Sequence, residues 1–344
     1  MNFSRYVRSM VDPDNGTTGP GTLGTQDVFA AVFDGGVPDL ELGALVVAIH
    51  NRSPSVADVV GAYRAMAERV QHLRPPDRAC RPLVFASYNM ARQSPNLLPW
   101  LALVLRRLGI PVLVHGNLGG SGGATSAYLF RELGVMPSAT LSQIQTALDT
   151  EGLAFVPAGV LCPGLANLIA LQNRLGLHDW AYKLAALLDP FRGDGVRIVG
   201  ASDAELRSIL ESVCSEEALD ALVFDGADDD AFVTPCRRPG ISAFRRGLRN
   251  VLFEPESSSL QWRVDLPDPL DVAATASWTR RAIAGEVPLP HPLVNQLACC
   301  LYVSGYAADM NQAKAIAAME SGVLLAGEAR AEPAHNVTVP DSRQ

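Results

Sequence analysis

The sequence predicts an α/β protein with a small N-terminal helical domain and a larger, mostly parallel α/β sheet domain. Apolar residues recur at helical three-and-four spacing from about residue 25 to residue 73. After Pro75-Pro76, short apolar runs alternate with longer helical segments, which is typical of parallel strands joined by crossover helices. A length of 344 residues is also enough for two domains.

The helical domain is expected over residues 1–75. A stretch rich in Gly, Pro and Thr at residues 12–25 predicts a loop, and Thr25 is placed to cap the helix that follows. Gly35-Gly36 ends that helix, and Pro38 suits the first turn of the next one. A further helix begins near Ser55 and carries an apolar stripe that predicts a buried face.

The sheet domain is expected over residues 76–325. Strands are predicted at 83–86, 111–114, 155–157, 197–200, 221–224 and 231–233, the last with hairpin potential. Residues 163–188 have the pattern of two helices without a strand between them, so we expect them to join the helical domain. A helix near 273–284 and a C-terminal helix pair follow, and residues 326–344 are expected to form a polar tail.

The composition indicates a globular protein without a membrane span. Hydrophobic residues make up 48% and charged residues 19% of the chain, and its longest apolar runs are too short to cross a bilayer. The N-terminus lacks an apolar signal-peptide core, so we expect a cytoplasmic protein. Six cysteines form no CxxC pair, which predicts free thiols rather than a zinc site.

A net charge of -8 argues against a polyanionic partner, but the positive charge is clustered. Nine arginines and three acidic residues lie between positions 51 and 107, and five arginines without any acid lie between 231 and 253. Arginine binds phosphate bidentately and keeps its charge. We therefore predict a phosphate-binding strip made of Arg92, Arg237, Arg238, Arg245, Arg246 and Arg249. Alternatively, Asp225 to Asp230 or acids of a second subunit neutralise these arginines.

The string Val114-His115-Gly116-Asn117 lies between a predicted strand and a predicted helix. It resembles the KHGN motif of the anthranilate phosphoribosyltransferases, within glycosyltransferase family 3. The similarity continues to Gly134 and includes Ser121. It covers about residues 1–325 and implies a nucleoside phosphorylase/phosphoribosyltransferase-like fold.

The resemblance implies a transferase site, but this chain replaces much of it. The family's GTGGD turn, which holds a magnesium-bound pyrophosphate, falls on Ala86, Ser87, Tyr88, Asn89 and Met90. Because no glycine remains, backbone N–H groups lose their close approach to the phosphates. The arginine expected to pair with the anthranilate carboxylate falls on Gln172. We therefore expect a vestigial substrate pocket made of Ser87, Tyr88, Asn89, Asn96, His115, Gly116, Asn117, Ser121 and Gln172.

Two of these assignments have alternatives. The family's acidic magnesium pair falls on Asp229-Asp230, where adjacent carboxylates can share Mg²⁺. A solvated loop between strands is the other explanation for this acidic turn. Similarly, His115 is either a site residue or a buried polar residue that orients a loop.

A narrower resemblance explains the replaced turn. The strings from Ser87 to Arg92, Pro38 to Gly43 and Ala298 to Leu301 are similar to the YbiB-like branch of the family, whose members are regarded as nucleic-acid-binding dimers. This implies a homodimer that binds DNA or RNA non-specifically and lacks anthranilate phosphoribosyltransferase activity. A transferase acting with Mg²⁺ on a related phosphoribosyl substrate is the first alternative. An assembly partner with an unused pocket is the second.

Overall fold

The computed structural model describes residues 3–11, 21–51, 54–88, 94–119, 123–177, 180–201, 203–227, 230–256 and 265–321. In this part of the chain, four helices precede the first strand: α1 (Phe3–Val11), α2 (Gly21–Phe33), α3 (Asp39–His50) and α4 (Val56–Ala67). Ser55 caps α4, and its hydroxyl accepts the backbone N–H of Asp58, whose carboxylate accepts the Ser55 N–H in return.

Seven strands form one sheet within the described residues. They are β1 (Leu83–Ser87), β2 (Val112–Gly116), β3 (Leu153–Pro157), β4 (Val196–Ala201), β5 (Ala221–Asp225), β6 (Ile241–Arg245) and β7 (Leu248–Phe253). The spatial order is β3-β2-β1-β4-β5-β6-β7. Strands β1 to β5 are parallel to their neighbours in this set, whereas β6 pairs antiparallel with both β5 and β7. The predicted mostly parallel α/β fold is therefore confirmed.

Helices cover both faces of the sheet. They are α5 (Leu98–Arg107), α6 (Ser126–Glu132), α7 (Leu141–Thr150), α8 (Ala158–Leu161), α9 (Pro163–Arg174), α10 (Trp180–Ala185), α11 (Ala204–Glu216), α12 (Val272–Ile283), α13 (His291–Val303) and α14 (Met310–Glu320). None of the helices in the described segments is long and apolar enough to cross a membrane.

Side chains along each strand point alternately to the two faces of the sheet, so the apolar core has two parts. In β1, Val84 and Ala86 belong to an apolar cluster shared with α2, α3, α4 and α7 to α11, whereas Leu83 and Phe85 pack with α5, α6 and α12 to α14. Helices α9 and α10 thus lie on the same face of the sheet as α2 and α4. The proposed domain boundary near residue 75 stays a prediction.

The predicted strand at residues 231–233 is wrong. Val233 makes only an isolated bridge with Gly226, and the hairpin is formed instead by β6 and β7. The side chain of Gln296 in α13 explains this, because it accepts the Val233 N–H at 3.0 Å and donates to the Ala231 carbonyl at 3.0 Å. The Val233 N–H and the Ala231 carbonyl are thus satisfied by a helix side chain, and the Phe232 carbonyl accepts the Ala227 N–H at 2.8 Å, so no strand pairing forms at this segment.

The predicted role of Thr25 as a helix cap is also wrong. Helix α2 begins at Gly21, and Thr25 lies buried within it. The Thr25 hydroxyl accepts from the Tyr6 hydroxyl at 3.0 Å and donates to the Asp58 carboxylate at 3.3 Å. Thr25 therefore connects α1, α2 and α4 rather than ending a helix.

Candidate functional site

The ends of β1 and β2 bring Tyr88 and His115 together. Tyr88 lies on the face of the sheet that packs against α2 to α4 and α7 to α11. Tyr88 follows β1, is 5% exposed, and its hydroxyl lies 2.7 Å from Nδ1 of the buried His115. The Tyr88 ring meets the His115 ring edge-on, with 5.5 Å between centroids, and packs against Tyr182 of α10 at 5.8 Å. The aromatic ring of Tyr88 thus occupies the space just beyond β1.

Burial keeps both partners uncharged. It lowers the pKa of His115 to about 3 and raises the pKa of Tyr88 well above its ordinary value, with Cys162 and Tyr182 adding smaller effects on Tyr88. The imidazole is therefore neutral at physiological pH. Within the described residues, Nε2 of His115 has no hydrogen-bond partner.

A second buried network joins the end of β1 to the start of α6. The hydroxyls of Ser87 and Ser126 share a hydrogen bond of 2.7 Å. The Asn96 amide donates to the Ser126 hydroxyl at 2.9 Å and to the Ala124 carbonyl at 3.3 Å, and its oxygen accepts the Leu98 N–H at 3.2 Å. Ser87 and Asn96, two predicted pocket residues, are therefore engaged with protein partners.

Gly116 has a packing role that is independent of any ligand. A Cβ atom at this position would lie 2.0 Å from the carbonyl oxygen of Ser87 in the neighbouring strand. Next to it, Asn117 is half-buried, and its side-chain nitrogen has no hydrogen-bond partner in the described segments. The same holds for the hydroxyl of Thr125, which is buried before α6. The described part of the β2–α6 connection therefore includes two buried side-chain groups for which the described residues supply no partner.

The other predicted pocket residues are separated from this centre or lie outside the described residues. Gln172 is buried in α9, where its oxygen accepts the Ala181 N–H at 3.3 Å and ties α9 to α10. Asn89 and Ser121 lie outside the described residues, as does Arg92. Tyr182, which packs on Tyr88, carried no sequence signal, whereas Ser126 lies within the resemblance around His115.

The predicted magnesium pair is described only at Asp230. Asp230 lies near the carboxyl ends of β4 and β5 and is almost fully buried, and Asp229 lies outside the described residues. The Asp230 carbonyl packs so closely that a Cβ on Gly200 would approach it to 2.0 Å. Within the described ranges, no group of three His, Cys, Asp or Glu side chains is placed to hold a metal ion.

The predicted arginine strip is divided between the two ends of β6. Arg237 and Arg238 precede this strand, whereas Arg245 ends it and Arg246 lies in the turn that follows. Arg238 forms an ion pair with Glu256. Arg249 of β7 pairs with Glu211 of α11 at 3.2 Å, and its Nε donates to Ser242 at 3.2 Å.

The remaining arginines of the strip differ from these two. Arg237, Arg245 and Arg246 are exposed, and their guanidinium groups have no acidic partner among the described residues. Among the described residues, Glu256 and Glu211 neutralise part of the cluster, and Asp225 pairs with Arg207 instead. Asp228 and Asp229 lie outside the described residues, and neutralisation by acids of a second subunit stays a prediction.

The chain is similar to proteins of one superfamily in sequence and in fold. It is 34% identical to the protein YbiB of Escherichia coli (strain K12) over 285 residues, which is 83% of this chain and 88% of that protein. It is 28% identical to the anthranilate phosphoribosyltransferase of Halobacterium salinarum (strain R1) over 210 residues, which is 60% of this chain and 61% of that enzyme. The chain matches no protein-family model.

Solved structures show the same architecture. The anthranilate phosphoribosyltransferase of Thermus thermophilus superposes with a TM-score of 0.72 at 21% identity, covering 94% of this chain and 97% of that one. The Saccharomyces cerevisiae enzyme in complex with PRPP and Mg gives a TM-score of 0.67 at 13% identity, covering 93% of both chains. Together with the sequence match to YbiB, these likenesses show that the chain belongs to the anthranilate phosphoribosyltransferase superfamily, as a relative of YbiB.

Proposed function

We propose that this protein is a nucleic-acid-binding homodimer whose phosphoribosyl pyrophosphate site is degenerate. The observation that carries the binding proposal is a group of three exposed arginines without an acidic partner among the described residues: Arg237 before β6, Arg245 at its end and Arg246 just after it. Like charges repel one another, and a guanidinium without a carboxylate partner is free to bind a phosphate oxygen. Contacts of this kind bind the nucleic-acid backbone without selecting a sequence.

A salt titration of a labelled oligonucleotide tests this proposal. Each phosphate contact releases condensed counterions, so removing an arginine lowers the slope of log affinity against log salt by about 0.7 to 0.9. The double variant Arg237→Ala/Arg245→Ala should therefore flatten the slope by about 1.4 to 1.8 units for unrelated sequences.

The chain supplies a matched control in its two neutralised arginines. Arg238→Ala/Arg249→Ala removes the same charge, but these guanidinium groups already bind Glu256 and Glu211. We expect this control to change the slope by less than half as much. Absence of binding by the unmodified protein at low salt, or equal slopes for the two double variants, would contradict the proposal.

The degenerate site is supported by the position of Tyr88. In the family resemblance, this residue stands where a glycine lets pyrophosphate approach the backbone, and here its ring is buried against His115 and Tyr182. We expect purified protein supplied with anthranilate, phosphoribosyl pyrophosphate and Mg²⁺ to form no phosphoribosyl anthranilate above background. Steady product formation would overturn this part of the proposal.

The homodimer is supported by the surface of α3. Leu40, Ala44 and Val47 lie on one face of this helix, and they are exposed, Leu40 to 84% and Val47 to 44%. An apolar stripe left in water favours a partner that covers it. We propose that residues 1–75, joined by the helices of 163–188, form a helical domain and that two copies associate through α3.

A transferase acting on a related phosphoribosyl substrate is the second candidate. It is favoured by three groups that have no hydrogen-bond partner among the described residues and that a polar ligand could engage: Nε2 of His115, the side-chain nitrogen of Asn117 and the hydroxyl of Thr125. Asp229-Asp230 would then hold Mg²⁺. Calorimetry with phosphoribosyl pyrophosphate and Mg²⁺ distinguishes this candidate: binding that is lost in Asn117→Ala supports it, and an absence of binding rules it out.

A further inference from the structure

A groove of about 520 Å³ opens at the edge of the sheet opposite the candidate site. Its lining comes from residues that precede β1, β4 and β5, from α4 and from the β6–β7 turn. The groove therefore lies at the amino-terminal ends of the parallel strands, away from Tyr88 and His115. Its lining includes five arginines, namely Arg81, Arg192, Arg197, Arg245 and Arg246.

The ion pair between Arg81 and Asp220 connects the turns that carry Arg192 and Arg246. Arg81 lies 2.6 Å from the Asp220 carboxylate, and its guanidinium donates to the backbone carbonyls of Gly193 and Asp194 at 3.2 and 3.1 Å. The same Asp220 carboxylate accepts the backbone N–H of Arg246. The turn at Arg192 and the turn at Arg246 are therefore fixed relative to each other before any ligand arrives.

The arginine at the floor of the groove is fully used by the protein. Arg197 is 4% exposed, lies 3.5 Å from the Asp189 carboxylate, and donates to the Leu187 carbonyl at 2.8 Å. It also lies within hydrogen-bond distance of the Tyr63 hydroxyl, at 3.4 Å. Arg197 therefore supports the groove rather than offering a free charge.

Positive charge remains in excess after these pairs are formed. Glu217 is taken by Arg64 at 2.7 Å, which leaves Asp194 as the exposed lining carboxylate without an ion pair in the described residues. Against it stand the guanidinium groups of Arg192, Arg245 and Arg246, all exposed and without an acidic partner in the same ranges. His72 also lines the groove. As far as the structure describes the chain, the groove thus presents three guanidinium groups and one carboxylate that form no ion pair.

The backbone of the groove is unusual as well. In the described chain, the non-glycine residues with positive φ are Arg192 at 56°, Ala218 at 52° and Arg246 at 48°, and all three line this groove. Residues with a Cβ rarely adopt this left-handed conformation, which glycine adopts freely. The two-residue turn between β6 and β7 requires positive φ at Arg246 and Gly247, and Ala218 follows the end of α11, so turn geometry fixes the backbone at these two lining positions.

We propose that this groove binds a phosphate group through Arg192, Arg245 and Arg246. The phosphate could belong to a free phosphate ester or to a nucleic-acid backbone, and both present the same oxygens to the arginine forks. The groove shares Arg245 and Arg246 with the proposed nucleic-acid site, and to that extent it rests on the proposed function. Binding of a free phosphate ester at the groove does not require that the protein binds nucleic acid.

Calorimetry of the full chain with inorganic tripolyphosphate, at low salt and without Mg²⁺, tests the groove. The variant Arg192→Gly/Arg246→Gly removes two free guanidinium groups and keeps both turns in a conformation that glycine prefers, so its Tm should be unchanged or higher. Its affinity for tripolyphosphate should fall about tenfold or more. Arg237→Ala is the control, because it removes an unpaired arginine that does not line the groove, and it should leave this affinity unchanged.

Several outcomes would contradict the proposal that the groove binds phosphate. These are an absence of tripolyphosphate binding by the unmodified protein, an equal loss in Arg237→Ala, or an unchanged affinity in the double glycine variant. The last two would show that binding follows overall charge or another site. A lower Tm in the double glycine variant would assign Arg192 and Arg246 to turn stability. The proposed phosphate site would then require that Arg245→Ala, a change on regular strand backbone, lowers the affinity for tripolyphosphate.

A parallel titration with a labelled single-stranded oligonucleotide separates the two sources of phosphate. Oligonucleotide binding that tripolyphosphate competes away assigns the groove to a nucleic-acid backbone. Tripolyphosphate binding without oligonucleotide binding supports a free phosphate ester and removes the nucleic-acid proposal. Oligonucleotide binding without tripolyphosphate binding is consistent with the nucleic-acid proposal and contradicts the proposed phosphate site in the groove.

Discussion

At the scale of single residues, the hydrogen bond between Tyr88 and His115 sets the chemistry at the carboxyl ends of β1 and β2. Burial holds His115 neutral, and the phenol of Tyr88 stays protonated because burial raises its pKa. Neither side chain therefore supplies positive charge near the position where the superfamily's pyrophosphate site is implied. The pair is suited to filling space rather than to holding an anion.

The neutral state of His115 predicts an acid-sensitive stability. The unfolded chain takes up a proton at His115 near pH 6.5, whereas the folded chain does so only near pH 3. Because the unfolded state binds more protons in that window, the contribution of His115 is complete above pH 6.5 and is lost progressively as the pH falls toward 3. In urea unfolding between pH 6 and pH 4.5, His115→Gln should show a shallower pH slope, by up to about 1.4 kcal/mol per pH unit. Parallel slopes would show that His115 is protonated in the fold.

Removing the Tyr88 hydroxyl should leave Nδ1 of His115 buried without a partner. We expect Tyr88→Phe to lower the free energy of unfolding by about 1–3 kcal/mol, measured by urea denaturation. Tyr128→Phe is the matched control, because Tyr128 is 37% exposed at the surface of α6, and it should change stability by less than about 0.5 kcal/mol. Equal effects in the two variants would mean that the Tyr88 hydroxyl contributes nothing specific.

At the scale of elements, the segment at residues 231–233 shows why a strand pattern can mislead. Its apolar residues are buried as those of a strand would be, but Gln296 of α13 bonds the Val233 N–H and the Ala231 carbonyl, two groups that a neighbouring strand would otherwise pair. A short apolar run does not reveal where its backbone groups find partners. The sequence pattern does not predict the hairpin of β6 and β7, because β7 lies at the sheet edge and most of its residues are exposed.

This arrangement predicts a large effect of changing Gln296. Gln296→Leu would leave the Val233 N–H and the Ala231 carbonyl buried without partners, so we expect a loss of about 2–4 kcal/mol in the free energy of unfolding. Gln143→Leu is the control: Gln143 also accepts a backbone N–H, from Ala139 at 2.9 Å, but at an exposed position. It should cost less than about 1 kcal/mol. A small effect of Gln296→Leu would show that water replaces the amide.

The sequence predicted elements better than contacts. The first five strands were predictable because buried parallel strands are short apolar runs bounded by turn residues. In the candidate site, the positions of Ser87, Asn96 and His115 follow from strand ends and from the family resemblance. The contacts of Tyr182 and Glu211 could not be predicted, since each meets its partner through packing between separate elements, and that of Glu256 with Arg238 depends on the β6–β7 hairpin that brings the two together.

At the scale of the whole molecule, the exposed face of α3 makes the association state testable. The double variant Leu40→Asp/Val47→Asp places two carboxylates on the apolar stripe, and burying them in an interface would be costly. We expect this variant to sediment as a monomer at micromolar concentration, with an unchanged helical circular dichroism spectrum. Leu248→Asp, at another highly exposed leucine on β7, should leave the dimer intact. A monomeric unmodified protein would contradict the proposed dimer.

The close contact at Gly116 bears on how the His-Gly-Asn string should be used as a diagnostic marker. A methyl group there would have to move from 2.0 Å to at least 3.0 Å from the Ser87 oxygen, which would pry β1 and β2 apart. The glycine is therefore demanded by the spacing of two adjacent strands, whether or not a substrate ever binds. In a genome survey, the glycine of this string therefore reports the strand packing of the fold and does not by itself report transferase activity.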